Sequence, residues 1–140
     1  HGISPIILKD QGLVRALKHF IGEINDSKQL NIEFYTNVDM PFESTIEISI
    51  YRITTELINN TLKYAKATQI DISLMYKQNL RLVTLNFQDN GIGFDITQSN
   101  SSTTGHGLVN IKSRVKALNG NIRFESILSQ GVFVHIEIPV

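Results

Sequence analysis

From Asp10 onward, apolar residues recur at three- and four-residue steps: Leu13, Ala16, Leu17, Phe20, Ile21 and Ile24. That spacing predicts an amphipathic helix over about 10–27. Ahead of it, Ser4-Pro5 followed by Ile6, Ile7 and Leu8 reads as an extended lead-in, since the residue before a proline is pushed out of the helical region. Asn31 to Val38 alternates, with Ile32, Phe34, Tyr35 and Val38 predicting a short strand. After Pro41 the helical period returns in Ile46, Ile50, Ile53 and Leu57, predicting a helix from Glu43-Ser44 to about Ala65. Two strands follow, Gln69–Tyr76 and Leu80–Gln88, and the short Lys77–Asn79 turn between them predicts an antiparallel hairpin. Leu108, Ile111, Val115 and Leu118 share one face of a helix beginning near Gly107. Asn119-Gly120 end it, glycine being favoured where a chain leaves a helix in the left-handed region. Asn121–Ile127 and Gly131–Ile138 read as a closing hairpin.

The order is helix, strand, helix, strand, strand, loop, helix, strand, strand. Five strands and three helices predict an α+β fold of two layers, one mixed sheet with the helices on one face. Composition narrows the function classes. The 140 residues suit one domain, and 41% hydrophobic content with zero net charge excludes a disordered chain. Thirteen Lys and Arg balance thirteen Asp and Glu, which argues against nucleic-acid binding through a basic face. The chain has no cysteine, so no disulfide scaffold, thiolate zinc site or Cys nucleophile is available. No apolar run approaches the ~20 residues that span a bilayer, so no membrane contact is expected of these residues.

Four clusters carry candidate chemistry. Glu56, Asn60 and Lys63 fall at i, i+4 and i+7 on the second helix, a carboxylate, an amide and an ammonium on one face. Such a face orients water, ligates Mg²⁺ or meets phosphate, or is simply a solvated stripe. Asp89-Asn90-Gly91-Ile92-Gly93 ends a strand, where a carboxylate can accept from an exocyclic amine; the same residues also suit a hairpin turn. Asp95–Thr104 is a polar loop with one aliphatic residue, Ile96, and reads as a lid or a surface insertion. Gly105-His106-Gly107-Leu108 opens the third helix, an anion-binding terminus or a capped hinge. The P-loop and Rossmann fingerprints are absent. His1, His19, His106 and His135 lack metal spacing and read as surface or satisfied histidines.

Taken in this order, the clusters resemble the ATP-binding catalytic domain of two-component sensor histidine kinases, in the GHKL superfamily with its Bergerat fold. Glu56-Leu-Ile-Asn59-Asn60-Thr-Leu-Lys63-Tyr64-Ala65 resembles the N box, Asp89-Asn90-Gly91-Ile92-Gly93-Phe94 the G1 box and Gly105-His106-Gly107-Leu108 the G2 box. The stretch Gly107 to Gly120, and the lead-in Ser4-Pro5 through Leu17, are similar to the nitrate-sensor-like subfamily.

The resemblance implies roles. Asp89 accepts the adenine amino group, and Gly91 and Gly93 let the base approach. Asn60 coordinates Mg²⁺ on the ATP phosphates, Lys63 meets phosphate charge, and Tyr64 packs near the base. Gly105, His106, Gly107 and Leu108 receive the triphosphate beneath a lid formed by Asp95–Thr104. Glu56 stands where gyrase-like members keep a water-activating base, and in kinases it orients the acceptor histidine. By the same resemblance residues 1–9 are a lead-in from a dimerisation and phosphoacceptor domain, and 10–140 the ATP-binding domain. The γ-phosphoryl group passes to a histidine on that helical domain and then to a response regulator. The excised domain is expected to be monomeric and cytoplasmic, the full-length protein homodimeric. His1 lies on the wrong side of the lead-in to be the acceptor. One departure concerns the base pocket: Val132 follows Gly131 where the family usually has threonine. Two rival readings are a GHKL ATPase that drives conformational change and an interaction module without kinase activity.

Overall fold

The computed structural model describes residues 5–93 and 105–140. Alternation along the strands sets the sheet. In β2 (Gln69–Lys77) Ile70, Ile72 and Leu74 are buried, in β3 (Leu82–Asp89) Val83, Leu85 and Phe87, and in β5 (Gly131–Pro139) Val134, Ile136 and Ile138. With β1 (Asn31–Thr36) and β4 (Asn121–Ile127) these strands form one sheet in the order β1-β2-β3-β5-β4. β1 runs parallel to β2, with Ile32 opposite Ile70, and the other three pairs are antiparallel. The parallel pair follows from the helix between the two strands, which carries the chain back to its starting edge.

Three helices cover the buried face: α1 (Pro5–Ser27), α2 (Ser44–Asn60) and α3 (Gly105–Ala117). The second packs on both of the others. Leu13, Ala16, Leu17, Phe20 and Ile21 of α1, Ile50, Ile53, Leu57 and Ile58 of α2, and Ile111 and Val115 of α3 join the strand residues in one core. Each fully buried Leu or Ile there contributes about 2 kcal/mol. The other sheet face carries exposed Glu33, Tyr35, Asp71 and Gln88, so the architecture is the expected two-layer α+β sandwich.

Four local features differ from expectation. The lead-in is helical from Pro5 rather than extended, because proline suits a first helical turn, where its missing N–H would have no partner. Gly12 (φ 83, ψ 172) then breaks this helix from the main run, and Leu8 packs with the core. At its end α2 passes into a single π-type turn, Thr61–Ala65, closed by Lys66 in the left-handed region (φ 52). The β2–β3 connection is a 3₁₀ turn, Gln78–Leu80. After α3 the left-handed residue is Asn119 (φ 59), not Gly120, whose N–H donates back to the Val115 carbonyl at 3.0 Å.

Candidate functional site

β3 runs along the middle of the sheet and ends at Asp89, so its alternation places this carboxylate on the helix-covered face. Asp89 is only 3% exposed. Burying a carboxylate requires compensating donors, and three are present. The Gly91 N–H donates to Oδ1 at 2.9 Å, the Val132 N–H to Oδ1 at 3.1 Å, and the Thr61 hydroxyl to Oδ2 at 2.9 Å. A carboxylate offers about four acceptor positions, so among the described residues one remains, on Oδ2.

The opposite wall comes from the second helix and its final turn. Leu57, Asn60, Thr61 and Tyr64 stand at i, i+3, i+4 and i+7 and all line one cleft, together with Phe87, Asp89, Gly93, Leu108, Ile111, Phe124 and Val132. The cleft encloses about 580 Å³ of space between atoms, its open mouth included. Its walls are mostly apolar, and Asp89 is its one carboxylate among the described residues. A slot of this kind suits a flat ring bearing an N–H donor: ring faces meet hydrocarbon, and the donor meets the spare acceptor.

The expected site residues fall into three groups. Asn60, Tyr64, Asp89, Gly93 and Leu108 line the cleft, and Tyr64 is 40% exposed at its wall. Glu56, Lys63 and Gly91 do not line it; Glu56 is half-buried, Lys63 is exposed on the flank of the same helix, and Gly91 is buried with its N–H on Asp89. Gly105, His106 and Gly107 form the first turn of α3, so this helix starts two residues earlier than its apolar period indicates. Asp95–Thr104, the expected lid, lies outside the described residues, as do Phe94 and His1. His135 is a satisfied histidine, its Nδ1 against Asn86 Oδ1 at 2.5 Å.

Two glycines owe their identity to close backbone approach. Gly131 has φ 101, and a Cβ there would overlap the carbonyl oxygen of Asp89 and lie 3.1 Å from Oδ1. Gly93 has φ 63, and its added Cβ would meet the Ile127 carbonyl, so the constraint comes from β4 as well as from the cleft. The Asn90 side chain belongs to the scaffold: its Oδ1 accepts from the Thr68 and Gln69 N–H groups at 2.9 and 3.0 Å, tying the end of β3 to the start of β2.

Sequence reasoning missed Thr61 and the Val132 N–H. Thr61 is 4% exposed, and its signal was available in part, since it continues the stripe Ile50, Ile53, Leu57 by a further i+4 step. The Val132 N–H carries no side-chain signature at all.

Comparison with known proteins places this geometry. Residues 45–140 match the profile of the histidine kinase-, DNA gyrase B- and HSP90-like ATPase family. The chain belongs to this family. As an ATPase-family domain it resembles the sensor histidine kinase ComP of Bacillus subtilis (strain 168), at 32% identity over the whole of this chain and 18% of that protein. It is also 27% identical to the oxygen sensor histidine kinase NreB of Staphylococcus carnosus (strain TM300), over 99% of this chain and 39% of the relative. The domain therefore spans well under half the length of either. The solved structure of the blue-light activated histidine kinase of Erythrobacter litoralis EL346 superposes with a TM-score of 0.71 at 18% identity, over 91% of this chain and 45% of that one. The ATPase-family domain thus shares its fold with histidine kinase catalytic domains and is an ATP-binding domain of that kind. No helix among the described residues is long and apolar enough to cross a membrane.

Proposed function

We propose that this domain binds ATP with Mg²⁺ and delivers the γ-phosphoryl group to a histidine on a dimerisation domain, in a cytoplasmic signalling reaction that ends on a response regulator. The observation that carries the proposal is the buried Asp89 carboxylate, held by three donors in an apolar cleft and left with one acceptor position. Adenine fits it: the ring takes the apolar walls, and the exocyclic amine supplies the donor. Tyr64 at the wall packs against the base.

The remaining residues suit a triphosphate. Asn60 lines the cleft, and its amide makes no hydrogen bond among the described residues, so it is available to hold Mg²⁺ on the phosphates. When bound, that ion offsets phosphate charge. Lys63, on the flank next to it, adds a cation, and the N–H groups of the first turn of α3, Gly105, His106, Gly107 and Leu108, face anionic oxygens along a favourable dipole. The protein's contribution is positioning and electrostatics, which dominate phosphoryl transfer. An imidazole nitrogen of the acceptor attacks the γ-phosphorus, the bond to the bridging oxygen breaks, and ADP leaves. Glu56 lies outside the cleft lining, a placement that fits orientation of the incoming histidine better than activation of a water beside the phosphates.

The test is transfer. The longer protein containing this domain and its dimerisation helices, incubated with γ-labelled ATP and Mg²⁺, should acquire acid-labile, base-stable phosphate. Release of inorganic phosphate at a steady rate with no labelled protein would instead assign it to the conformational ATPases of the family.

A further inference from the structure

We infer that Thr61 is the positioning residue that aims Asp89 at the base, and so sets the domain's preference for a purine bearing an exocyclic amine. The inference rests on the ATP-binding reading and gives a role to a residue that lies inside the stretch resembling the N box but had none assigned there.

Two side chains flank the carboxylate from opposite walls. On the β5 side stands Val132, which offers Asp89 only its backbone N–H, because its side chain is aliphatic. On the helical side stands Thr61, whose hydroxyl donates to Oδ2, the oxygen that keeps the spare acceptor position. The two backbone donors both converge on Oδ1. They fix one oxygen but leave the carboxylate free to twist about its Cβ–Cγ bond. A bond at Oδ2 from the far wall removes that freedom and occupies one of its lone pairs, so the remaining one has a defined direction.

Thr61 itself is held firmly. It is buried, β-branched, and lies in the turn where α2 widens from α to π geometry. Branching at Cβ limits the side chain to few rotamers, so the hydroxyl is directed before any ligand arrives. The donor role also has a consequence for selectivity. With Thr61 donating, Oδ2 presents acceptor character alone to the cleft. A base with a carbonyl at the matching position meets oxygen against oxygen, and a base with no group there leaves that acceptor position of a buried carboxylate unpaired.

The test compares ATP with purine riboside triphosphate, which lacks the exocyclic amine, by calorimetric titration in Mg²⁺. Wild type should bind ATP at least tenfold more tightly, the size of one hydrogen bond to a charged group. Thr61→Val, equal in shape, should bring that ratio to within about threefold, while its melting temperature without ligand falls by several degrees because a buried carboxylate loses one donor. Thr61→Ser, which restores the hydroxyl, should recover most of the discrimination. A purely structural role for Thr61 would weaken both nucleotides alike and leave the ratio unchanged, and that result overturns the proposal. If wild type itself fails to discriminate, the reading of Asp89 as the base acceptor falls first, which separates the two failures.

Discussion

Replacing Asp89 by asparagine changes one atom and almost no volume, yet stability and binding should respond very differently. In the folded protein Asp89 accepts three hydrogen bonds, two at Oδ1 and one at Oδ2. An asparagine can keep its amide oxygen on the Gly91 and Val132 N–H groups and turn its NH₂ toward Thr61. The threonine hydroxyl rotates to accept instead of donate, so every protein partner stays satisfied. What is lost is the charge assistance in these bonds, offset by no longer burying a charge, for a net cost on the order of 1 kcal/mol. For a domain of this length that is about 4 °C in melting temperature. Binding is another matter, because the one position left for a ligand is converted from acceptor to donor. The amine of adenine loses a bond to a charged group, about 1.5–3 kcal/mol, and meets a donor, for about 1–3 kcal/mol more. The sum corresponds to a loss of affinity between about sixtyfold and about twenty-thousandfold. Calorimetric titration with ATP and Mg²⁺, beside a thermal melt of the free protein, reads both quantities. A near-normal melt with a dissociation constant within about threefold of wild type would refute the assignment of Asp89 to the base.

Two further substitutions probe the scaffold. Gly131→Ala forces a Cβ onto the Asp89 carbonyl at φ 101, and neither backbone can yield without moving β3 against β5. The strain alone amounts to about 1–3 kcal/mol, so a melt should fall by at least about 4 °C, and binding of ATP should weaken as the Val132 N–H shifts; an unchanged melt would contradict the close approach. Lys28→Gly, at an exposed left-handed position (φ 60) just after α1, should raise stability by about 0.5–1 kcal/mol in urea denaturation and leave ATP affinity unaltered.

The elements themselves were legible from periodicity. Ile50, Ile53 and Leu57 mark the buried stripe of α2, and the alternations in β2, β3 and β5 mark their inner faces, because burial on one side imposes a period of 3.6 or 2 on any chain that folds this way. Asn60, Tyr64, Asp89, Gly93 and Leu108, singled out from the sequence, do line one cleft in the structure. Periodicity was less informative at the ends of elements. Pro5 reads as a breaker or as a helix start depending on what packs behind it, and Leu8 packing with the core decides for the helix. The turn at Thr61–Ala65 continues the same stripe with wider geometry, which spacing alone does not distinguish.

What only the tertiary structure decided is which atoms meet at Asp89. Thr61 lies 28 positions before it and Val132 43 positions after it, and each reaches the carboxylate because β3 lies between a helical layer and a neighbouring strand. The sequence by itself determined that an acidic residue would end a strand and that Glu56, Asn60 and Lys63 would share one helix face. The sheet order and the end of α2 determined which oxygen keeps a free position. Hydrogen-bond donors of the backbone are the same in every residue except proline, so their identity as partners is set by where the chain returns in space.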